Sequence, residues 1–171
     1  MKNKAVFLDR DGVINIDKHY VYKIQDFEFC EGIFELCRFF QEKAYLLFVI
    51  TNQSGIERGY YTEEDFKKLS TFMLKEFEKQ GVKITKIYHC PHLHNCECRK
   101  PKPAMLLKAN KEFNLDLSTS IFIGDSLTDM QAGVNAGVGN LVLIKQDGME
   151  KENSFQCFST LTEILNFYTK N

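Results

Sequence analysis

Asp9 and Asp11 stand two residues apart in Asp9-Arg10-Asp11-Gly12, directly after the apolar run Lys4 to Leu8. Two carboxylates at this spacing, with a glycine for a tight turn, make a hard-oxygen site suited to Mg²⁺. The same pair could divide the work of nucleophile and general acid/base. Taken alone, a capped surface turn is the plainer reading. Thr51-Asn52-Gln53-Ser54-Gly55 follows a second apolar run. Its hydroxyl, amides and backbone N–H groups could cradle phosphate oxygens, although a polar strand-to-helix loop is the plainer reading. Gly124-Asp125-Ser126-Leu127-Thr128-Asp129 opens a helix after another apolar run. One Asp there is commonly an N-cap; two, four apart and beside the first strand, would complete a magnesium site. Arg99-Lys100-Pro101 puts fixed positive charge just before a helix, where a basic dipeptide is most often solvated surface.

Six cysteines stand at positions 30, 37, 90, 96, 98 and 157. The segment Cys90-Pro91-His92-Leu93-His94-Asn95-Cys96-Glu97-Cys98 brings three thiols and two imidazoles into one loop. Such clustering without a secretion signal points to metal more than to disulfides. Four such ligands suit a closed, structural Zn²⁺ site. Spacing leaves His92 and His94 both open as the imidazole. The scattered cysteines read as small core hydrophobes.

These segments need elements to position them. Short apolar runs at Lys4–Leu8, Ala44–Ile50, Lys83–His89, Ser120–Ile123 and Leu141–Ile144 predict five strands. Between them lie helical patterns. Ile33, Leu36, Cys37 and Phe40 share one face, and Phe66, Leu69, Met73 and Phe77 another, behind a Thr62 cap. Pro103 is expected as the first residue of a helix with Leu106, Ala109 and Phe113, and Leu127–Ala136 as a helix stopped by Gly137. Leu161, Ile164, Leu165 and Tyr168 mark a last helix. The polar stretch 146–156 reads as a surface loop. Strand–helix alternation implies an α/β fold whose parallel sheet is covered on both faces, with ligands at the carboxyl ends of the strands. Asp9, Thr51, His89/Cys90 and Asp125 occupy those ends.

The 171 residues suit one domain over 1–171. A net charge of −1 argues against nucleic acid as a partner, since that needs a basic face. The run Ala44–Ile50 is too short to span a bilayer, and the charge at Asp9 does not fit a signal peptide. No membrane association, a cytoplasmic location and a monomer are the expectations.

In this order and spacing the motifs resemble the haloacid dehalogenase-like superfamily over nearly the whole chain. Within it, Phe7–Gly12, Thr51–Ile56, Tyr88–His92, Cys96–Pro101 and Gly124-Asp125 look like the D-glycero-D-manno-heptose 1,7-bisphosphate phosphatases and the related histidinol-phosphate phosphatases. The resemblance implies a Rossmann-like three-layer α/β/α fold with a central parallel sheet and a zinc-stapled loop. It makes Asp9 the nucleophile, Asp11 the acid/base, and Thr51 and Lys100 the groups that stabilise the phosphoryl oxygens. Mg²⁺ would be held by Asp9, the Asp11 backbone carbonyl and Asp125; Zn²⁺ by Cys90, His92, Cys96 and Cys98. Asp17, Lys18, His19, Tyr20, Asn52, Gln53, Ser54, Arg99 and Ser126 become candidate substrate contacts, with Ser126 standing where relatives often carry Lys. Ordinary connections separate Asp9, Thr51 and Lys100, so no separate cap domain is expected. The implied activity is that of a Mg²⁺-dependent phosphomonoester hydrolase of the D-glycero-β-D-manno-heptose 1,7-bisphosphate 7-phosphatase type. It would act at C7 on the route to lipopolysaccharide heptose, with either anomer compatible at C1. Histidinol-phosphate hydrolysis and a non-catalytic, zinc-stapled phosphosugar-binding module are the rival readings.

Overall fold

β1 (Lys4–Leu8) sends alternate side chains into two separate cores: Val6 and Leu8 into one, Ala5 and Phe7 into the other. A strand apolar on both faces needs helices on both sides. The computed structural model describes residues 1–145 and 154–170. In these, β2 (Tyr45–Asn52), β3 (Ile84–Cys90), β4 (Ile121–Gly124), β5 (Asn140–Ile144) and β6 (Gln156–Phe158) join β1 in one sheet. Its order is β3-β2-β1-β4-β5-β6, with every neighbouring pair parallel. The chain leaves β1 toward β2 and β3, then returns to β4 on the other side. The carboxyl ends of β1 and β4 therefore flank the crevice where such folds bind ligands.

α1 (Ile33–Glu42), α2 (Glu63–Lys79) and α5 (Leu161–Lys170) bury their apolar stripes against the Val6/Leu8 face. α3 (Ala104–Phe113) and α4 (Leu127–Ala136) cover the Phe7 face with Met105, Leu106, Ala109, Met130 and Ala132. The result is a three-layer α/β/α sandwich. α2 starts at a capping box: Thr62 accepts the Asp65 N–H and Asp65 accepts the Thr62 N–H. α4 ends at Gly137, whose φ of +82° is the left-handed stop its sequence implies.

The strand ends shift by one or two residues from the sequence reading, and three differences have a clear cause. Pro103 caps α3 from outside the helix, and Ala104 is the first helical residue. β2 continues through Thr51 and Asn52, because β3 offers His89 and Cys90 as ladder partners. A sixth strand, Gln156–Phe158, pairs with Val142 to Ile144. Three residues are too few to show a period, so only the β5 ladder reveals it. The rest of the loop expected over 146–156 lies outside the described residues as far as 153.

Phe48 lies at the centre of the second core, fully buried, with its ring 5.6 Å from Phe7 and 5.0 Å from Phe113. Truncation there forfeits transfer energy and leaves a cavity. Phe48→Ala should cost about 3–5 kcal/mol in urea unfolding; a loss below about 1 kcal/mol would contradict this core.

Candidate active site

The tips of β1 and β4 bring their acidic residues together. Asp9 donates its backbone N–H to Ile123 O at 3.0 Å, which aligns it beside Asp125. Two glycines make the approach possible. Gly12 has φ +88°, and a Cβ there would lie 1.9 Å from Asp125 Oδ2. A Cβ on Gly124 would lie 2.4 Å from the Asp129 Cβ. One carboxylate oxygen from each of Asp9, Asp125 and Asp129 then falls within 4.8 Å of the others. Lys100, 4% exposed, inserts its ammonium from the loop after β3, 3.0 Å from Asp9 Oδ1 and 2.6 Å from Asp129 Oδ1. The Ile50 carbonyl accepts from the same nitrogen at 2.9 Å. Asn52 grips the Lys100 backbone at both N–H and C=O.

Three carboxylates and one ammonium sum to −2, the charge one divalent cation cancels. An all-oxygen donor set at a strand tip fits Mg²⁺. Burial, and then the Asp129 charge, pushes Asp125 up to about 6 against the opposing pull of Lys100. Asp9 is raised well above the usual carboxylate range, chiefly by burial, next by Asp129, again against Lys100. Burial alone would lower the Lys100 pKa; Asp9 and Asp129 outweigh it and hold the ammonium charged. Asp129 differs from the other two carboxylates. Its Oδ2 accepts the N–H groups of Asp125 and Ser126 and the Ser126 hydroxyl, and its Oδ1 meets Lys100. Asp129 thus caps α4 and holds the lysine, which leaves Asp9 and Asp125 to face an ion.

The Asp11 carboxyl turns away from that cluster. Arg10 Nη2 donates to both its oxygens at 2.9 and 3.0 Å, and Asn15 and Gln53 each donate at 3.0 Å. The Asp11 side chain therefore stands outside the group formed by Asp9, Asp125 and Asp129. Gln53 Nε2 also donates to Thr51 Oγ1 at 2.8 Å, and the Tyr61 hydroxyl donates to Gln53 Oε1. Tyr61 stacks on Tyr22 at 5.2 Å, and a Cβ on Gly55 would strike its ring. A cleft of about 300 Å³ is lined by Asp9, Asp11, Asp17, Asn52, Arg99, Lys100, Asp125, Ser126, Thr128 and Asp129. Of the candidate substrate contacts, Asp17, Asn52, Arg99 and Ser126 reach this cleft.

Others are placed elsewhere. Lys18 pairs with Glu28 at 2.9 Å, and the exposed Tyr20 packs on Tyr60. His19 and Ser54 do not line the cleft, and the buried Gln53 supports it from behind. His89, though at a strand end, stacks on Phe66 and meets Glu63. Sequence reading passed over Arg10, Asn15, Tyr61 and Thr128. Arg10, lying between the two aspartates, offered the one available signal.

Cys90, His92, Cys96 and Cys98 present three sulfurs and one nitrogen within 4.8 Å of one another, and His94 lies outside the group. Cys90 Sγ is 3.6 Å from both His92 Nδ1 and Cys96 Sγ. A tetrahedral zinc with bonds of about 2.3 Å to sulfur requires edges near this length; the Cys98 edges are shorter, 2.7 Å to Cys90 Sγ and 3.2 Å to His92 Nδ1. Burial raises the Cys90 thiol. At Cys96 burial is outweighed by the Arg99 N–H and neighbouring thiols, and the group sits at about 7. All six cysteines are free.

The model of the Haloacid dehalogenase-like hydrolase family matches residues 8–143. The chain belongs to the haloacid dehalogenase-like hydrolases. A relative from Campylobacter jejuni, a D-glycero-alpha-D-manno-heptose-1,7-bisphosphate 7-phosphatase, is 67% identical over 168 residues, covering 98% of this hydrolase and 97% of the relative. One from Helicobacter pylori, named for the beta anomer, is 49% identical over 91% of this chain and 92% of its own. The crystal structure of D,D-heptose 1.7-bisphosphate phosphatase from B. bronchiseptica, complexed with magnesium and phosphate, superposes with a TM-score of 0.87. It is 26% identical, with 98% of each chain covered.

The raised carboxylates make this hydrolase sensitive to pH when no Mg²⁺ is present. A carboxyl whose folded pKa is raised stabilises the fold below its unfolded pKa, and that contribution fades as pH climbs through the folded value. For Asp125 the window is about pH 4 to 6. In Mg²⁺-free, zinc-loaded protein, Asp125→Asn should melt higher than wild type at pH 7, and the gap should close below about pH 5. A variant that melts lower than wild type at pH 7 would contradict the repulsion.

Proposed function

We propose that this hydrolase removes the C7 phosphate of D-glycero-D-manno-heptose 1,7-bisphosphate through an aspartyl phosphate on Asp9, in heptose biosynthesis. The observation that carries this reading is the Asp9 carboxylate held 3.0 Å from the buried Lys100 ammonium in a cleft that also fits Mg²⁺. An anionic nucleophile must approach an anionic phosphoryl group, and fixed positive charge offsets that repulsion. Mg²⁺, when bound at Asp9, the Asp11 carbonyl and Asp125, supplies two further positive charges that keep Asp9 ionised and neutralise phosphoryl oxygens.

The chain's own residues do the rest. An Asp9 oxygen attacks phosphorus as the bond to the C7 oxygen breaks, and that oxygen takes its proton from Asp11. Asp11 enters the step protonated, with one oxygen freed from its Arg10, Asn15 and Gln53 donors and turned to the leaving group. The sugar leaves with its C1 phosphate intact. Asp11 then takes a proton from water, whose oxygen attacks the aspartyl phosphate, freeing inorganic phosphate and restoring Asp9. Thr51 Oγ1 accepts from Gln53, so its own proton is available to a phosphoryl oxygen. Arg99 and Asp17 at the cleft rim are suited to the phosphate and hydroxyls of the sugar's far end. Cys98 directly precedes Arg99 and Lys100, so a zinc-held loop presents both cations to the cleft. A doubly phosphorylated sugar does not cross a bilayer unaided, so enzyme and substrate share one compartment, which this reading takes to be the cytoplasm. The described residues share one six-stranded sheet, which supports a single domain over 1–171.

Phosphate release should be measured on both anomers of the heptose bisphosphate and on histidinol phosphate. The alpha anomer is tested first, given the name of the 67% identical relative. A heptose bisphosphate should be preferred in kcat/KM, and Asp9→Asn should lose on the order of 10³-fold or more. Preference for histidinol phosphate would overturn the substrate, and no turnover by wild type would leave only a binding module. Lys100→Ala should lower kcat about 10²–10³-fold, the scale for a lost charge-stabilising group. Retained turnover would refute its role.

A further inference from the structure

The ligand loop is short. Between His92 and Cys96 stand only Leu93, His94 and Asn95, the last at φ +52°. A turn this tight leaves backbone N–H groups that cannot bond within it. One of them, from Leu93, is taken by a carboxylate outside the loop, that of Glu57, and the His94 N–H also faces that carboxylate and helps to lower its pKa. These N–H donors hold the Glu57 carboxyl below its ordinary range.

Glu57 is not a spare metal ligand. Three thiolates and an imidazole already fill a tetrahedral zinc, and that complex carries one net negative charge that repels a further carboxylate. The acid is therefore placed for the N–H groups. Its own segment is stitched to the same loop: Gln53 N–H donates to Cys90 O at 2.7 Å, and Glu57 N–H to Pro91 O at 3.2 Å. From Gln53 the chain of contacts runs on to Thr51 and Asp11. The zinc loop thus meets the cleft by two routes, through Cys98 to Arg99 and Lys100, and through Glu57 to the segment that carries Gln53.

We infer that Glu57 is a positioning residue that clamps the zinc loop onto the 53–61 segment, slowing zinc release and fixing the wall of the cleft behind Thr51 and Asp11. The second half of this inference rests on the proposed phosphatase reading; the first does not. The test uses the full-length, zinc-loaded protein. Zinc release to a chromogenic chelator should be about tenfold faster in Glu57→Ala, the lower end of the range for partners behind metal ligands. kcat for the heptose bisphosphate should fall severalfold, because Thr51 and Asp11 act in the chemical step. Glu57→Gln keeps one acceptor oxygen and should fall between, which a general loss of stability would not produce. Unchanged zinc release in Glu57→Ala, or faster release with kcat unmoved, overturns the clamp. If wild type hydrolyses none of the substrates, the phosphatase reading fails, and the zinc-release rates still decide the clamp.

Discussion

The Lys100 ammonium lies where the first and fourth strands end, almost wholly removed from water, with Asp9, Asp129 and the Ile50 carbonyl around it. A cation so placed is costly unless each acceptor is in position. That requirement explains much of the surrounding architecture. Asp9 is aligned by Ile123, Ile50 belongs to β2, and Asp129 is fixed by the α4 capping box. β2, β1 and β4 must be neighbours for the three acceptors to meet. Gly12 and Gly124 matter for the same reason, since a side chain at either would displace the carboxylates.

Two charge imbalances of different chemistry sit side by side. At the strand tips, carboxylates outnumber ammonium and the donors are hard oxygens, which suits a Mg²⁺ that keeps room for substrate. In the 90–98 loop, thiols and one imidazole close around a soft site with no open position. Cys98-Arg99-Lys100 joins them covalently, and Asn52 fixes that junction to β2. The loop bearing the cations has little regular structure of its own, so a metal bound at this cluster would supply order that a helix or strand otherwise gives.

The strands at the sheet centre were readable because Lys4–Leu8 and the run ending at Ile50 are apolar on both faces, a pattern few other elements share. β6 was not, because a three-residue edge strand acquires its identity from β5. The cysteine cluster was legible from covalent spacing within one loop, while grouping His92 rather than His94 with it took the family pattern in sequence and the fold in space. The 17–20 segment shows the opposite limit. Four polar residues in a row look alike as text, and only the fold sends Asp17 into the cleft while Lys18 turns to Glu28. Arg10, Asn15 and Tyr61 act as buried supports for Asp11 and Gln53. Such partners lie far apart in sequence or inside a turn and leave no periodic trace.

Calorimetric titration of Mg²⁺ into the zinc-loaded chain, repeated near pH 6 in buffers of different ionisation enthalpy, tests the charge balance at the strand tips most directly. One ion should bind per chain and displace protons from the raised carboxylates, giving a buffer-dependent heat that Asp125→Asn largely abolishes. Binding of equal strength in Asp125→Asn, or with no proton release in wild type, would contradict a single cation shared by Asp9 and Asp125.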